Sequence, residues 1–186
     1  MVSLTDLWLP ILASAAIVFV ASSVIHMVLG YHRTDYGPVP TEAQVMEDLR
    51  KANLPPGDYV LPYAATPKEM GSPEYTERMT RGPIVFMTVA PPGPISMGRN
   101  LGLWFVYCVA VSFVAAYVAG RTLGPGAEYG EVFRFAGTAA FAGYVLALWQ
   151  LPIWFFRSWS WALKTSFDGV IFALLTGGTF GWLWPA

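Results

Sequence analysis

Residues 101–120 read LGLWFVYCVAVSFVAAYVAG, a run of twenty residues without a single Asp, Glu, Lys or Arg. At 1.5 Å per residue, a helix of this length covers about 30 Å, which is the thickness of the hydrocarbon layer of a bilayer. Residues 7–30 form a second apolar run that is equally free of those four residue types. Each of these two stretches therefore predicts a transmembrane helix.

Two further stretches are apolar but carry charge near their first residues. They are residues 132–151, with Arg134 near the start, and residues 169–184. The last helix is expected to begin earlier, near Trp161, which places Lys164 and Asp168 in its first turns. The sequence thus predicts an all-α membrane protein with four transmembrane helices: helix 1 in residues 1–30, and helices 2–4 in residues 101–186.

Composition excludes several other classes of protein. Hydrophobic residues make up 55% of the 186 residues and charged residues only 12%, against about 25% charged in soluble domains. A net charge of -1 offers no basic surface for nucleic acid. The single cysteine, Cys108, rules out an intrachain disulfide and a CxxC site. The first helix is expected to stay uncleaved, because Asp6 stands where a signal peptide has basic residues and the apolar run is too long.

The basic residues predict an orientation, because short basic loops stay in the cytoplasm. Nine of the eleven Lys and Arg residues fall between helices 1 and 2 or between helices 3 and 4. We therefore expect residues 31–100 to be cytoplasmic and both termini to lie outside. The tryptophans fit two interfacial belts, an outer one with Trp8, Trp182 and Trp184 and an inner one with Trp104, Trp149, Trp154, Trp159 and Trp161.

Small residues recur every four positions in the predicted helices, which allows close backbone packing in lipid. The stripe of helix 2 is Cys108, Ser112, Ala116 and Gly120, and that of helix 4 is Gly169, Ala173, Gly177 and Gly181. We expect these stripes to pack the four helices against one another. The alternative is that one stripe docks another subunit or a flat ligand.

The segment 31–100 holds most of the charge and is predicted to form a small mixed cap on the inner membrane face. Thr41 and Gln44 have the spacing of a capping box, so a helix should run to about Asn53. Ser72 followed by Pro73 indicates a second helix start. Two extended segments, residues 59–61 and 84–89, are expected to be short strands.

Ionisable residues inside membrane segments suggest function by default. His26 is the one histidine inside a predicted span, and we expect it to form a polar ligand site with Ser22 or Ser23. His32 lies six residues further on, so the two side chains should point in different directions and haem ligation is not expected.

Two local ion pairs are also expected. Lys164 and Asp168 have the i, i+4 spacing of a helical pair. Arg134 is expected to snorkel to the interface and to pair with Glu128 or Glu131. No Walker, GxSxG or HExxH motif occurs, so no catalytic residue and no metal site is predicted, and any cofactor is unknown.

Several stretches resemble a family of small, uncharacterised bacterial four-span inner-membrane proteins. They include SSVIHMVL (residues 22–29), LPPGDY (54–59), PPGP (91–94), FRFAGT (133–138), FDG (167–169) and FGWLWP (180–185). The resemblance implies four spans in a bacterial inner membrane. It implies no activity and no functional residue.

Three functions remain open from the sequence. The first is a non-catalytic membrane subunit, structural or assembly-related, with the lipid bilayer and other membrane subunits as partners. The second is a small-solute or lipid-handling protein with its site at Ser22, Ser23 and His26. The third is an enzyme acting at the cytoplasmic face, which requires polar residues of the insert to converge, namely Asp35, Asp58, Glu69 and Arg78.

Overall fold

The computed structural model describes all residues, Met1–Ala186. The chain divides into two compact units, one made of Met1–Tyr36 and Ser96–Ala186 and the other of Gly37–Ile95. Eight α-helices and two strands follow in chain order: α1 (Trp8–Val24), α2 (Glu42–Ala52), β1 (Gly57–Leu61), α3 (Pro67–Met70), α4 (Pro73–Arg81), β2 (Val85–Val89), α5 (Met97–Thr122), α6 (Tyr129–Tyr144), α7 (Gln150–Phe155) and α8 (Trp159–Trp182). A π-helical turn (Ile25–Leu29) and two 3₁₀ turns (Tyr31–Thr34 and Leu146–Trp149) complete the list.

Three helical segments are long and apolar enough to cross a membrane: Trp8–Leu29, Met97–Thr122 and Tyr129–Phe155. The protein is therefore mostly helical with membrane-spanning character, as the sequence predicts. The fourth predicted span, in α8, is not among these three segments. Helix α8 has 24 residues, which is enough length, but Asp168 and several glycines and threonines dilute its apolar character.

Helices α1, α5, α6 and α8 form the larger unit, in which α1 and α6 each pack against both α5 and α8. The helices approach closely because their contacts are made by small residues. A Cβ added to Gly177 would lie 2.9 Å from the Phe133 carbonyl oxygen, and one added to Gly181 would lie 2.6 Å from the Tyr129 ring. Contacts within this chain thus occupy the α8 stripe.

The α5 stripe is also covered from within the chain. Cys108, Ser112 and Ala116 are fully buried, and Ser112 Oγ lies 2.9 Å from Ser14 Oγ of α1. The Gly120 carbonyl accepts a hydrogen bond from the Val2 amide, with an N···O distance of 2.9 Å. These contacts are those of an intrachain bundle.

The third span is not one continuous α-helix. Helix α6 ends at Tyr144, a 3₁₀ turn follows, and α7 continues to Phe155. A Cβ added to Gly169 of α8 would lie 2.6 Å from Val145 Cγ2, so the irregular turn packs directly on this glycine.

The smaller unit, Gly37–Ile95, contains one antiparallel strand pair, in which Gly57 faces Val89 and Leu61 faces Val85. Helix α4 begins as predicted, with Pro73 in its first turn and the Ser72 hydroxyl accepting the Tyr75 amide. Helix α2 also forms where it is predicted, but its capping box does not. Thr41 makes no side-chain cap, and the Gln44 side chain, instead of reaching back to Thr41, donates to the Asp48 carboxylate one turn further along.

Candidate functional site

The site is built where the first helix ends and α8 begins. After α1, the π-helical turn Ile25–Leu29 widens the helix, and Gly30 ends it with φ +66°. This left-handed conformation is readily available to glycine and strained for other residues. The chain then reverses into the 3₁₀ turn Tyr31–Thr34, which lies against the first turns of α8.

The reversal at Gly30 corrects the expectation that His26 and His32 point apart. Their rings are stacked, with centroids 4.6 Å apart and planes inclined by only 5°. The expectation was wrong because it assumed a straight helix through both residues. The π-helical turn and the left-handed glycine instead fold the second imidazole back over the first.

Lys164 holds the segment that follows Gly30. Its ammonium group donates to the Tyr31 carbonyl (2.9 Å), the Thr34 hydroxyl (2.8 Å) and the Asp35 carboxylate (2.9 Å). The predicted ion pair with Asp168 is therefore not made. Both side chains of the expected pair extend across to the loop after α1, which offers each of them a partner.

Asp168 is almost completely buried, with 1% of its surface exposed. The Tyr31 hydroxyl donates to its Oδ1, and His32 Nε2 lies 2.7 Å from its Oδ2. His32 Nδ1 lies 2.6 Å from Oδ2 of Asp35. His32 thus lies between the carboxylates of Asp35 and Asp168, and Lys164 contacts Asp35 from the other side. We call these five residues, His32, Asp35, Lys164, Asp168 and Tyr31, the polar cluster.

The surroundings shift two pKa values in the loop. Burial alone raises the pKa of Asp35, but the hydrogen bonds and positive charges of Lys164 and His32 outweigh it and hold the pKa below its usual value. Burial raises the pKa of the Tyr31 hydroxyl, and the Asp168 carboxylate raises it further. Asp35 is therefore ionised and Tyr31 protonated at neutral pH.

A pocket of about 590 Å³ adjoins the polar cluster at the end of the bundle where α5 and α8 begin. Its wall is mainly aromatic and aliphatic, formed by Leu103, Trp104, Tyr107, Tyr144, Leu148 and Phe172. Its polar lining residues are His26, Asn100, Thr165 and Asp168. This size and lining are typical of small-molecule sites.

One wall residue has an unsatisfied polar group. Tyr144 is 5% exposed, and its hydroxyl is the one buried side-chain polar atom without a hydrogen-bond partner. The nearby Cys108 thiol is only a weak hydrogen-bonding group. Buried hydroxyls normally have a partner, and for the Tyr144 hydroxyl the Cys108 thiol is the neighbouring group.

The three ligand-site residues predicted from sequence have different positions: one lines the pocket, one holds a residue of the pocket wall, and one bonds only within α1. His26 lines the pocket, and its Nδ1 donates to the Ser22 carbonyl at 2.9 Å. The Ser22 hydroxyl accepts from the Trp104 indole at 2.8 Å and so holds a wall residue in place. Ser23 bonds only the Phe19 carbonyl of its own helix.

Other predicted polar contacts do not form. Arg134 donates to the Gly130 carbonyl one turn back, at 3.1 Å, and makes no ion pair with Glu128 or Glu131. Carbonyl oxygens of the preceding turn are within reach of its side chain without any rearrangement. Arg134 therefore bonds within its own helix.

The polar residues proposed to converge in the insert have separate partners. Asp58 accepts from the Thr88 hydroxyl, and Glu69 accepts from the Ala65 amide. Arg78 donates to the Tyr63 carbonyl, at 3.5 Å. None of these contacts joins two of the four residues, and Asp35 belongs to the other unit of the chain.

The structure also brings together three potential metal ligands that no sequence motif indicates. One ligand atom each of His26, His32 and Asp168 lies within 4.8 Å of the other two. The fold and site define a membrane protein with a polar cluster beside an amphipathic pocket. No family model, curated protein or solved structure matched the chain, so the bacterial family suggested above stays a prediction.

Proposed function

We propose that this chain is a membrane protein that binds one uncharged amphipathic small molecule in the pocket beside the polar cluster. The proposal develops the lipid-handling alternative drawn from the sequence. The observation that carries it is the pocket itself, which joins an aromatic wall to a polar end at His26 and Asp168. Such a cavity suits a ligand with an apolar body and a polar head.

The aromatic wall is rigid, which favours a defined ligand position over loose lipid contact. Phe172 packs edge-on against both Tyr144, with centroids 5.5 Å apart, and Trp104, with centroids 6.1 Å apart. The Trp104 indole is also fixed by its hydrogen bond to Ser22. Preorganised walls reduce the entropy lost on binding.

The polar end favours an uncharged head group. Lys164 pairs with Asp35, and His32 contacts both Asp35 and Asp168, so a charged head would find every ionisable side chain of the cluster already engaged. His26 donates through Nδ1 to the Ser22 carbonyl, so the neutral ring offers Nε2 as an acceptor. A head with a hydroxyl group matches this acceptor.

The test is native mass spectrometry of the purified full-length protein, with monoolein as an uncharged amphiphile and oleate as its charged counterpart. The variant Leu103→Trp fills the pocket, because Leu103 lines it. The control is Val106→Trp, on the same helix and comparably exposed (62% against 58%), but outside the pocket. We expect one monoolein per chain in the wild type and in Val106→Trp, weaker oleate binding, and loss of monoolein in Leu103→Trp. Equal binding by both variants would refute the proposal.

The proposal includes four crossings of a bacterial inner membrane, with residues 31–100 in the cytoplasm and both termini outside. Support for the fourth crossing comes from α8, which accompanies α1 over its whole length. Asp168 meets Tyr31 at one end, and Phe180 shares a core cluster with Val2 and Leu7 at the other. If α1 spans the bilayer, α8 has the position and length to do so beside it.

This topology is testable by cysteine labelling in intact cells. In a Cys108→Ala background, one cysteine replaces Asp48 and another replaces Glu128, both of which are exposed. An impermeant maleimide should label the cysteine at position 128 and reach the one at position 48 only after the cells are lysed. The opposite pattern would show that the orientation is inverted.

The role of a non-catalytic subunit in a larger complex remains a prediction. The sequence argument for it was the absence of catalytic motifs, together with the small-residue stripes and the proline-rich insert. Contacts within the bundle now account for those stripes, as Gly120, Gly177 and Gly181 show. The pocket therefore supports a ligand-binding function more directly than the stripes support a subunit role.

A further inference from the structure

We propose that His26, His32 and Asp168 form a binding site for one divalent transition-metal ion, such as Zn²⁺, at the polar end of the pocket. Two imidazoles and one carboxylate are an established ligand set for such ions, and three protein ligands leave a position open for water or another molecule. This inference does not depend on the amphipathic ligand proposed above; when the ion occupies His26 Nε2, the head group of such a ligand would face the open position of the metal instead.

Each candidate ligand is held by an atom that it does not need for the metal. His26 Nδ1 donates to the Ser22 carbonyl, which leaves the lone pair on Nε2. His32 Nδ1 lies 2.6 Å from the Asp35 carboxylate, which leaves Nε2. Asp168 accepts the Tyr31 hydroxyl on Oδ1, which leaves Oδ2. Histidine ligands of metals characteristically bond a carbonyl or carboxylate through their second nitrogen in this way.

The residue that orients His32 is itself held in place. Asp35 contacts the Lys164 ammonium group at a distance of 2.9 Å. Asp35 and Asp168 are both buried, with side chains 6% and 1% exposed, so His32 and Asp168 are held in place, whereas His26 is exposed and can turn. An acidic group on a mobile surface has no such support.

Metal binding requires two movements. The His26 ring, which is stacked on the His32 ring with centroids 4.6 Å apart, must turn so that its Nε2 points at the ion, and His32 must move away from Asp168. His32 Nε2 and Asp168 Oδ2 are 2.7 Å apart and share a proton. Ligand atoms about 2.0–2.2 Å from a zinc ion lie roughly 3.3 Å apart in a tetrahedral site, so the two groups must separate by about half an ångström. The metal replaces the shared proton, which leaves to solvent, and both ligand atoms then donate their lone pairs to the ion.

The test measures Zn²⁺ binding to the full-length protein, purified in detergent with a histidine-free affinity tag, by competition with a chromophoric chelator. The wild type should bind one equivalent. His26→Gln should weaken binding about 10- to 100-fold or more, because even the loss of an outer hydrogen bond to a ligand has an effect of this size. His26 is partly exposed and bonded only to its own helix, so this variant keeps the fold.

Two further variants separate metal binding from stability. Asp35→Asn should weaken Zn²⁺ binding about 10- to 100-fold through His32, without removing a ligand. Asp48→Asn, on the exposed surface of α2, should bind as the wild type does. Bound Co²⁺ should give a visible absorption spectrum that changes in His26→Gln. Less than one equivalent in the wild type, or equal affinity in the wild type and His26→Gln, would overturn the proposal.

Discussion

Replacing Lys164 by Met removes the ammonium group that holds the loop after α1 and keeps most of the apolar length of the side chain. The substitution deletes three hydrogen bonds, to the Tyr31 carbonyl, the Thr34 hydroxyl and the Asp35 carboxylate. Asp35, only 6% exposed, is then left with His32 as its single charged partner. The loop therefore loses its main attachment to α8.

The size of the effect follows from burial. Removing one partner of a fully buried ion pair costs about 3–5 kcal/mol, because the other charge remains desolvated. The Lys164 side chain is 23% exposed, so water replaces part of what is lost and about 2–3 kcal/mol is expected. At 1.4 kcal/mol per factor of ten, local opening of residues 30–36 should become about 30- to 150-fold more frequent.

Hydrogen-exchange mass spectrometry in detergent measures this opening directly. The control is Lys51→Met, which removes an exposed contact of 4.0 Å to Asp48 and should leave exchange in α2 nearly unchanged. The double variant Lys164→Met with Asp35→Asn should cost less than the sum of the single changes, by about 1–2 kcal/mol, because the stranded carboxylate is gone. Wild-type exchange rates at residues 30–36 in Lys164→Met would refute the reasoning.

Three further predictions concern single positions. Gly30→Ala should lower stability by about 1–2 kcal/mol in thermal unfolding because φ is +66°, whereas Gly37→Ala, with open space around it, should be neutral. Gly177→Ala should cost about 1–3 kcal/mol by forcing α6 and α8 apart, and Gly98→Ala, with nothing within 4 Å, should not; equal melting temperatures of these two variants would contradict the close packing. Tyr144→Phe removes a buried hydroxyl whose neighbouring polar group is the weakly bonding Cys108 thiol, so the protein should be unchanged or stabilised by about 1 kcal/mol; a clearly destabilised variant would show that the hydroxyl has a stronger partner within the chain.

The membrane character of the chain was predictable because it depends on composition over twenty residues at a time. Residues 7–30 and 101–120 lack charged side chains, and the helices found there are long enough to span a bilayer. The two short strands were predictable from the extended segments 59–61 and 84–89. The fourth span was harder to judge, since α8 begins with Lys164 and Asp168, whose partners come from elsewhere in the chain.

Local sequence patterns could not predict the polar cluster. It joins residues 31–35 to residues 164 and 168, which lie more than 120 positions away in sequence. A straight helical wheel separates His26 from His32, and only the π-helical turn with Gly30 brings them together. One signal did exist. A four-span topology puts the end of the first helix and the start of the last on the same side, where their polar residues can meet.

The contact between the loop after α1 and the first turns of α8 joins a segment synthesised early to one synthesised late. His32 and Asp35 leave the ribosome long before Lys164 and Asp168 exist. A chain that stops short of α8 therefore carries an imidazole and a carboxylate without their partners beside its first helix. Once α8 has been synthesised, Asp168 and Lys164 pair with these two groups. Formation of this contact therefore requires that both the first and the last helix are present.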